Sequence, residues 1–284
     1  MPHSIDLHTH SAASDGVLAP GELVVRAHRA GISLLALTDH DEVNGCEEAH
    51  STALTLGMRF LHGVEISVTW SAMTIHIIGL GIDSDNRELQ QGLEKNRHFR
   101  SWRAVEMGRR LEKRGIPGGY EAASRLAGGR IVSRTHFAKF LVEKGLASDV
   151  RAVFQHYLKP GKAGYVSGQW ATLEEAVAWI LAANGVAVIA HPARYRLTAG
   201  KLRRLLQQFI AAGGAGIEVV SGGHCEQDIP HLATLAKRHG LQASVGSDFH
   251  DPDYSWSRLG MIPQLPPECD PVWQQFLEKA ENRV

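Results

Sequence analysis

Histidine and carboxylate side chains recur in this chain where apolar runs end. The first run, in "SIDLHTHSAASDG" at residues 4–16, is followed by His8, His10 and Asp15. Imidazole and carboxylate groups together suit Zn²⁺, Mn²⁺, Fe²⁺ and related divalent ions. Later apolar runs end in, or contain, similar side chains, namely His40, Glu65, His76, His191, Asp248 and His250.

The size of this set indicates more than one ion. A catalytic ion uses about three protein ligands and leaves its other positions to water or substrate. Six histidines and three carboxylates exceed what one ion needs. We expect two or three divalent ions, and three fit best; Mn²⁺ is the favoured ion, with Zn²⁺ and Fe²⁺ as alternatives. Such sites activate water for attack on phosphorus.

The ligands can only meet if the fold brings distant segments together. Seven apolar runs are strand candidates: "SIDL", "LLALT", "RFLHGVEI", "TIHIIGLG", "VAVIA", "GIEVV" and "QASVGS". Amphipathic stretches of helix length separate most of them, which predicts an α/β fold with a parallel sheet covered by helices. Seven strands suggest a barrel or near-barrel. The carboxyl ends of parallel barrel strands share one face, where we expect the ligands to converge.

One long segment interrupts the alternation. Residues 85–165 contain helical patterns without a clear strand, so we predict a helical insertion there and a barrel formed by residues 1–84 and 166–284. Between residues 86 and 165 there are 17 Lys and Arg but 7 Asp and Glu, although the whole chain has a formal net charge of zero. A basic insertion would supply cations to an acidic metal site.

The ordered motifs "DLHTHSAASDG", "LTDHD", "GVE", "IH", "AHP" and "GSDFH" resemble those of the PHP (polymerase and histidinol phosphatase) domain family. The resemblance spans nearly the whole chain and implies a distorted seven-stranded (β/α)7 barrel, related to the amidohydrolases, with up to three metals at its carboxyl face. It assigns the first ion to His8, His10, Glu65 and Asp248, the second to Glu65, His76 and His191, and the third to Asp15, His40 and His250. A metal-bridging hydroxide held by Glu65, with Asp248 and His191, is the expected nucleophile.

The insertion is similar to that of stand-alone bacterial PHP proteins, which include a nucleotide bisphosphate phosphatase and a 5′→3′ exoribonuclease. The resemblance implies a phosphatase that removes the 3′-phosphate of nucleoside 3′,5′-bisphosphates. The alternatives are the exoribonuclease acting on short 5′-phosphorylated RNA and a histidinol-phosphate phosphatase. Hydrolysis of C–N bonds, as in related amidohydrolases, is disfavoured. Its substrates are neutral and would not need Arg134 and Arg194, the two arginines that are candidate phosphate contacts.

Several polar residues are candidates for substrate binding. Arg134, in "SRTH" at a predicted helix start, and Arg194, after the His191 strand end, are candidate phosphate contacts. Ser133 or Thr135 would cap that helix. Further candidates are His136, Ser221 and His224.

Other features of the sequence bear on the location and the binding partners of the protein. No membrane segment, leader, protein partner or nucleotide cofactor is predicted, because the chain has neither an apolar run long enough to span a bilayer nor a P-loop or GxGxxG pattern. The three cysteines are an odd number at no metal spacing, so we expect free thiols and a cytoplasmic location. We expect Asp39 to orient a ligand histidine. The remaining histidines, including His50 and His62, receive no predicted role.

Overall fold

The computed structural model describes residues 4–128, 131–222, 226–254 and 257–281. All seven predicted strands are present and form a sheet in which each pairs with the next in sequence. Their bounds are Ser4–Asp6 (β1), Ile32–Leu37 (β2), Arg59–Trp70 (β3), Met73–Leu80 (β4), Val186–Ile189 (β5), Gly216–Ser221 (β6) and Gln242–Gly246 (β7).

The sheet is mixed, so the prediction of a parallel sheet was wrong for β4. β4 pairs antiparallel with both β3 and β5, whereas the other neighbours are parallel. Only Ser71 and Ala72 separate β3 from β4, and both have positive φ. Such a two-residue turn joins antiparallel strands, because a parallel pair needs a long crossover.

The sheet closes on itself at the first and last strands. The backbone N–H of Leu7 donates to the carbonyl of Val245 at 3.0 Å, and Thr9 forms a parallel bridge with Phe249. The face of the sheet opposite to Glu65 is apolar, and on it Val64, Ile66, Ile77 and Ile217, for example, are fully buried. The predicted α/β barrel of seven strands is therefore confirmed.

Ten α-helices occur in the described residues; six of them cover the barrel and four build the segment between β4 and β5. The covering helices are Pro20–Arg29 (α1), Cys46–Thr55 (α2), Leu173–Ala182 (α7), Ala199–Ala211 (α8), Asp228–His239 (α9) and Gln274–Glu281 (α10). The predicted cap of α7 is present: Thr172 accepts from the backbone N–H of Glu175, whose side chain accepts from that of Thr172.

The predicted insertion is helical and has apolar packing of its own. Its helices are Arg87–Glu112 (α3), Gly119–Leu126 (α4), Arg134–Glu143 (α5) and Val150–Val153 (α6), which continues into a π-helical turn at Phe154–Leu158. An apolar cluster around Leu111, Phe137 and Leu141 joins these helices separately from the barrel core. The domain boundaries at 85 and 165 stay a prediction.

In the described part of the chain, no helix combines the length and the apolar character that crossing a membrane requires.

Candidate metal centre

The nine predicted metal ligands lie together at one end of the barrel. Seven of them follow β1, β2, β5 and β7, where parallel strands end, and Glu65 lies within the long strand β3. His76 reaches the site differently: it lies opposite Ser67 in the antiparallel β3–β4 pair. His191 and Asp248 have positive φ, 29° and 53°, which side chains other than glycine rarely adopt. Such strain is concentrated at functional sites.

Four of these side chains surround one point. The Nε2 atoms of His8 and His10 are 3.1 Å apart. His8 Nε2 lies 3.4 Å from Glu65 Oε1 and 3.3 Å from Asp248 Oδ1, and His10 Nε2 lies 3.3 Å from Glu65 Oε2 and 3.1 Å from Asp248 Oδ1. Ligand atoms about 2.0–2.2 Å from one shared ion have this mutual spacing. The four residues are the set that the family resemblance assigns to the first ion.

The other two predicted sets are also close together. Glu65 Oε1 lies 2.8 Å from His76 Nδ1 and 3.0 Å from His191 Nε2. Asp15 Oδ1 lies 3.3 Å from His250 Nε2 and 3.9 Å from His40 Nε2.

Glu65 connects all three sets, since its Oε2 also lies 2.8 Å from Nδ1 of His40. This contact was not anticipated, because the resemblance places His40 in the third set alone. His40, Glu65 and His76 form a further group with metal-ligand spacing.

The cluster contains groups that are ready to bind a cation and groups that must first lose a proton. Burial disfavours the charge on Glu65, but the imidazoles of His76, His40 and His8 outweigh it and hold its pKa well below the ordinary value. Burial, with the charge of His250, lowers the pKa of His10 to about 3. Burial also lowers the pKa of His76 to about 4. Glu65 is therefore charged and His10 and His76 are neutral near pH 7, as metal ligands must be. At His8, His40 and His250 the neighbouring carboxylates outweigh burial and raise the pKa, so an ion that binds there displaces their protons.

The cluster leaves buried polar atoms without hydrogen bonds, although they lie against one another. These atoms are Asp15 Oδ1, His40 Nδ1, Glu65 Oε2 and His76 Nδ1. Unsatisfied buried groups are costly, and lone pairs that face each other repel unless a cation lies between them. The residues therefore fit a group of divalent ions, and the identity of each ligand stays a prediction.

Sequence analysis missed a carboxylate beneath the cluster. Glu218 is fully buried in β6; its Oε1 accepts from His8 Nδ1 at 2.9 Å, and its Oε2 accepts from the backbone N–H of His191. Gly246 makes room for this contact, because a Cβ there would lie 2.2 Å from His8 Cβ and 2.9 Å from Glu218 Oε1. The available signal was the acidic residue inside the apolar run "GIEVV".

Two aspartates after β2 fix neighbouring segments rather than a histidine. Asp39 accepts from the backbone N–H and the hydroxyl of Ser11 and from the hydroxyl of Ser14. The prediction that Asp39 orients a ligand histidine is therefore wrong: it holds the loop that carries Asp15. Asp41 is buried and accepts from Arg100 and, at 2.8 Å, from Asn96, both on α3.

A cavity of about 500 Å³ joins the ligand cluster to the insertion. Three arginines of the insertion line it, Arg100 and Arg103 from α3 and Arg134 from α5. Arg100 and Arg103 lie over the ring of Trp170, at 4.9 and 5.3 Å from its centroid, and Arg134 lies 5.5 Å from that of Phe154. Burial, together with Arg134 and Arg100, lowers the pKa of Arg103.

Neither Arg103 nor Arg134 forms an ion pair with a carboxylate among the described residues. Guanidinium groups stay protonated in proteins, so the buried Arg103 and the partly buried Arg134 carry charge that an anion would neutralise. The sequence had indicated Arg134 but not Arg100 or Arg103. In a long helix with many basic residues, the sequence does not show which arginines face the cavity.

The other predicted substrate-binding residues lie in the cavity wall or in the N-terminal cap of α5. Arg194 lines the cavity and donates to Asp248 and to the carbonyl of Gly222. Ser133 caps α5 by accepting from Thr135 N, and also lines the cavity. His136 Nδ1 accepts from the backbone N–H of Ser133, so this side chain completes the helix cap.

Ser221 is buried at the end of β6, and its hydroxyl has no hydrogen-bond partner in the described structure. His224 lies outside the described residues.

Comparison with known proteins agrees with the geometry. Residues 6–222 match the PHP domain family. The chain belongs to the PHP domain family. It is 50% identical over 274 residues to a 3′,5′-nucleoside bisphosphate phosphatase of Chromobacterium violaceum, covering 96% of each chain. It is 44% identical over 279 residues to the 5′-3′ exoribonuclease Rnm of Escherichia coli, covering 98% of this chain and 94% of that protein.

A solved structure shares the whole fold of this PHP protein. The crystallised amidohydrolase from Chromobacterium violaceum, with bound sulfate and no metal, superposes with a TM-score of 0.92 at 48% identity and covers 97% of this chain and 96% of its own. The barrel and the insertion therefore occur together in a relative.

Proposed function

We propose that this PHP protein is a metal-dependent phosphoesterase that hydrolyses the 3′-phosphate of nucleoside 3′,5′-bisphosphates such as adenosine 3′,5′-bisphosphate. The products are the nucleoside 5′-monophosphate and inorganic phosphate. The single observation that carries this proposal is the cavity in which metal-ligand side chains face three arginines of the insertion. A substrate with two phosphates matches a site with two separate cationic parts. The name of the bisphosphate phosphatase relative supports the same substrate class.

The insertion would bind the phosphate that does not react. Arg103 and Arg134 have no carboxylate partner among the described residues, and planar guanidinium groups bind phosphate through paired hydrogen bonds. The rings of Phe154 and Trp170 beside these arginines would contact the nucleoside. This part of the site would hold the 5′-phosphate and thereby place the 3′-phosphate over the ligand cluster.

The barrel would supply the reactive part. Divalent ions held by the nine ligands, with Mn²⁺ favoured, would activate water and offset the negative charge of the phosphate. Glu65 lies 3.0 Å from His191, and both Glu65 and Asp248 lie within 3.4 Å of His8 Nε2 at its centre. Arg194, which contacts Asp248 from the cavity wall, would bind nonbridging oxygens and stabilise charge that develops on them. Thr135 donates to Asp15 at 3.2 Å and so couples α5 to the third ligand set.

The exoribonuclease activity is the second candidate, because the Escherichia coli relative carries that name. A 5′-phosphorylated dinucleotide presents the same 5′-phosphate and a second phosphate that bears a larger leaving group. Histidinol phosphate fits less well, because its ammonium group would face the arginines.

The three cysteines favour a cytoplasmic location, and Cys46 and Cys269 are unpaired.

The deciding experiment offers four substrates to the Mn²⁺-loaded protein side by side: adenosine 3′,5′-bisphosphate, 5′-AMP, 3′-AMP and a 5′-phosphorylated oligoribonucleotide. Fast phosphate release from the bisphosphate alone, with 5′-AMP as product, is the expected result. Equal or faster release of mononucleotides from the RNA would instead make the protein a nuclease. Absence of turnover on all four would refute the proposal.

A further inference from the structure

A second group of metal-ligand side chains lies outside the barrel. His50 and Glu47 are on α2, and His62 is on β3. One ligand atom from each residue lies within 4.8 Å of the others. His62 is three positions before Glu65, so its side chain points to the opposite face of the strand from the catalytic cavity. None of the three residues lines that cavity.

The two imidazoles present ring nitrogens to each other at a distance that suits two ligands of one ion. His50 Nδ1 lies 2.9 Å from His62 Nε2. The other nitrogen of His62 lies 3.1 Å from the hydroxyl of Ser84. When His62 Nδ1 donates to this hydroxyl, Nε2 is left with a lone pair facing His50. Histidines that bind metals commonly have such a partner on their second nitrogen.

Helix geometry and ring packing hold these ligands in place. Glu47 and His50 are three residues apart on α2 and therefore lie on the same helix face. The ring of His50 stacks on Phe60, with centroids 6.0 Å apart, and meets the ring of His62 edge-on at 5.0 Å. The carboxylates of Glu47, Asp85 and Asp83 favour positive charge at His62. The local field thus attracts a cation, although burial and His50 lower the pKa of His62 itself.

We propose that Glu47, His50 and His62 bind one first-row transition-metal ion, for which Zn²⁺ is the best match, separately from the catalytic ions. Two imidazoles and one carboxylate are a ligand set that Zn²⁺ accepts, with water in the remaining position. Mn²⁺ binds nitrogen ligands more weakly in the general order of divalent ions, so this site would take zinc in preference to manganese. The bound ion would join α2 to β3 across the outer surface of the barrel.

The test measures zinc per chain after dialysis of the full-length, Mn²⁺-loaded protein against micromolar free Zn²⁺. Wild type should retain about one Zn²⁺ more than either His50→Ala or His62→Ala. Any zinc that enters the catalytic centre is common to all samples and cancels. His98→Ala is the matched control, because exposed His98 pairs with Glu94 at 3.2 Å on α3 but has no third ligand in the described structure.

A second readout is thermal stability. Zinc should raise the Tm of wild type and His98→Ala by about 3 °C more than that of His50→Ala. His50 is exposed, so its variant should fold normally and keep wild-type turnover of the bisphosphate. Equal zinc content and equal Tm shifts in wild type and His50→Ala would overturn the proposal. Failure of the phosphatase assay would leave this outcome unaffected.

Discussion

Glu218 Oε1 lies 2.9 Å from Nδ1 of His8, so a carboxylate buried in β6 determines which nitrogen of that imidazole faces the metal site. Because Nδ1 donates to Glu218, Nε2 is the nitrogen that points to Glu65 and Asp248 and that a metal ion would bind. The second oxygen of Glu218 holds the backbone N–H of His191. A single side chain thus positions two predicted ligands that are 183 residues apart in sequence.

Glu218→Gln should weaken metal binding without removing a ligand. The amide retains one acceptor but presents a donor to either His8 or the His191 backbone, both of which already donate. Loss of such a partner typically lowers metal affinity or activity by about 10- to 100-fold. The measurement is the Mn²⁺ concentration needed for half-maximal turnover, with exposed Glu174→Gln as the control. An unchanged Mn²⁺ requirement would remove Glu218 from the metal site.

Asp248→Ala should abolish turnover and lower the metal content. Asp248 Oδ1 is within 3.3 Å of the Nε2 atoms of both His8 and His10, so its removal takes away a charged ligand at the centre of the cluster. We expect activity to fall more than about 100-fold, since the ions supply both the activated water and charge neutralisation. Activity and metals per chain are measured on the same samples, with Asp253→Ala as an exposed control. Wild-type turnover in Asp248→Ala would refute the ligand assignment.

Arg103→Ala and Arg134→Ala should impair substrate binding but not metal binding. Each removes a guanidinium from the cavity wall, and hydrogen bonds to charged groups contribute about 1.5–3 kcal/mol. We expect kcat/KM for the bisphosphate to fall about 10- to 100-fold, mainly through KM. Arg109→Ala is the control, because Arg109 is on α3 but pairs with Glu106 at the surface. If the metal content fell in parallel, these arginines would have a structural role instead.

Asp41→Asn should destabilise the connection between barrel and insertion. Asp41 is fully buried and accepts from Arg100 and Asn96, so the variant leaves the Arg100 charge without its partner. Breaking a buried pair on one side costs about 3–5 kcal/mol, which corresponds to a Tm lower by about 10 °C in a chain of this size. Differential scanning calorimetry measures this, with Glu94→Gln as an exposed comparison. A shift no larger than that of Glu94→Gln would show that the pair contributes little.

Chelation should lower the stability of the protein as well as its activity. The cluster buries carboxylates and imidazoles whose lone pairs face one another, including Glu65 Oε2 and His40 Nδ1. A bound ion stabilises the folded state by a free energy that rises with the logarithm of its concentration relative to the dissociation constant, by about 2.7 kcal/mol at a hundredfold excess. The Tm should therefore fall after dialysis against a chelator and recover with Mn²⁺. An identical Tm with and without metal would contradict this account.

The chemistry of the site could be predicted from the sequence because it is local. Each ligand comes at or near the end of an apolar run, and residue types such as the two histidines in "DLHTH" limit the group that they can bind. The barrel followed from the same runs, since strands that alternate with amphipathic helices have few ways to bury their apolar faces. The helix starting after Ser133 was predicted for the same reason, because its cap involves neighbouring residues.

Tertiary structure decided the strand directions and side-chain orientations that depend on contacts between distant parts of the chain. The antiparallel direction of β4 follows from a two-residue turn, and it changes how His76 reaches the cavity. Glu218 gained its role only when β6 was placed beside β7 and beneath His8. Arg100 and Arg103 were two of many cations until the packing of α3 turned them toward the cavity. Composition and spacing determine which groups are available, whereas the burial and direction of each side chain are set by elements far away in sequence.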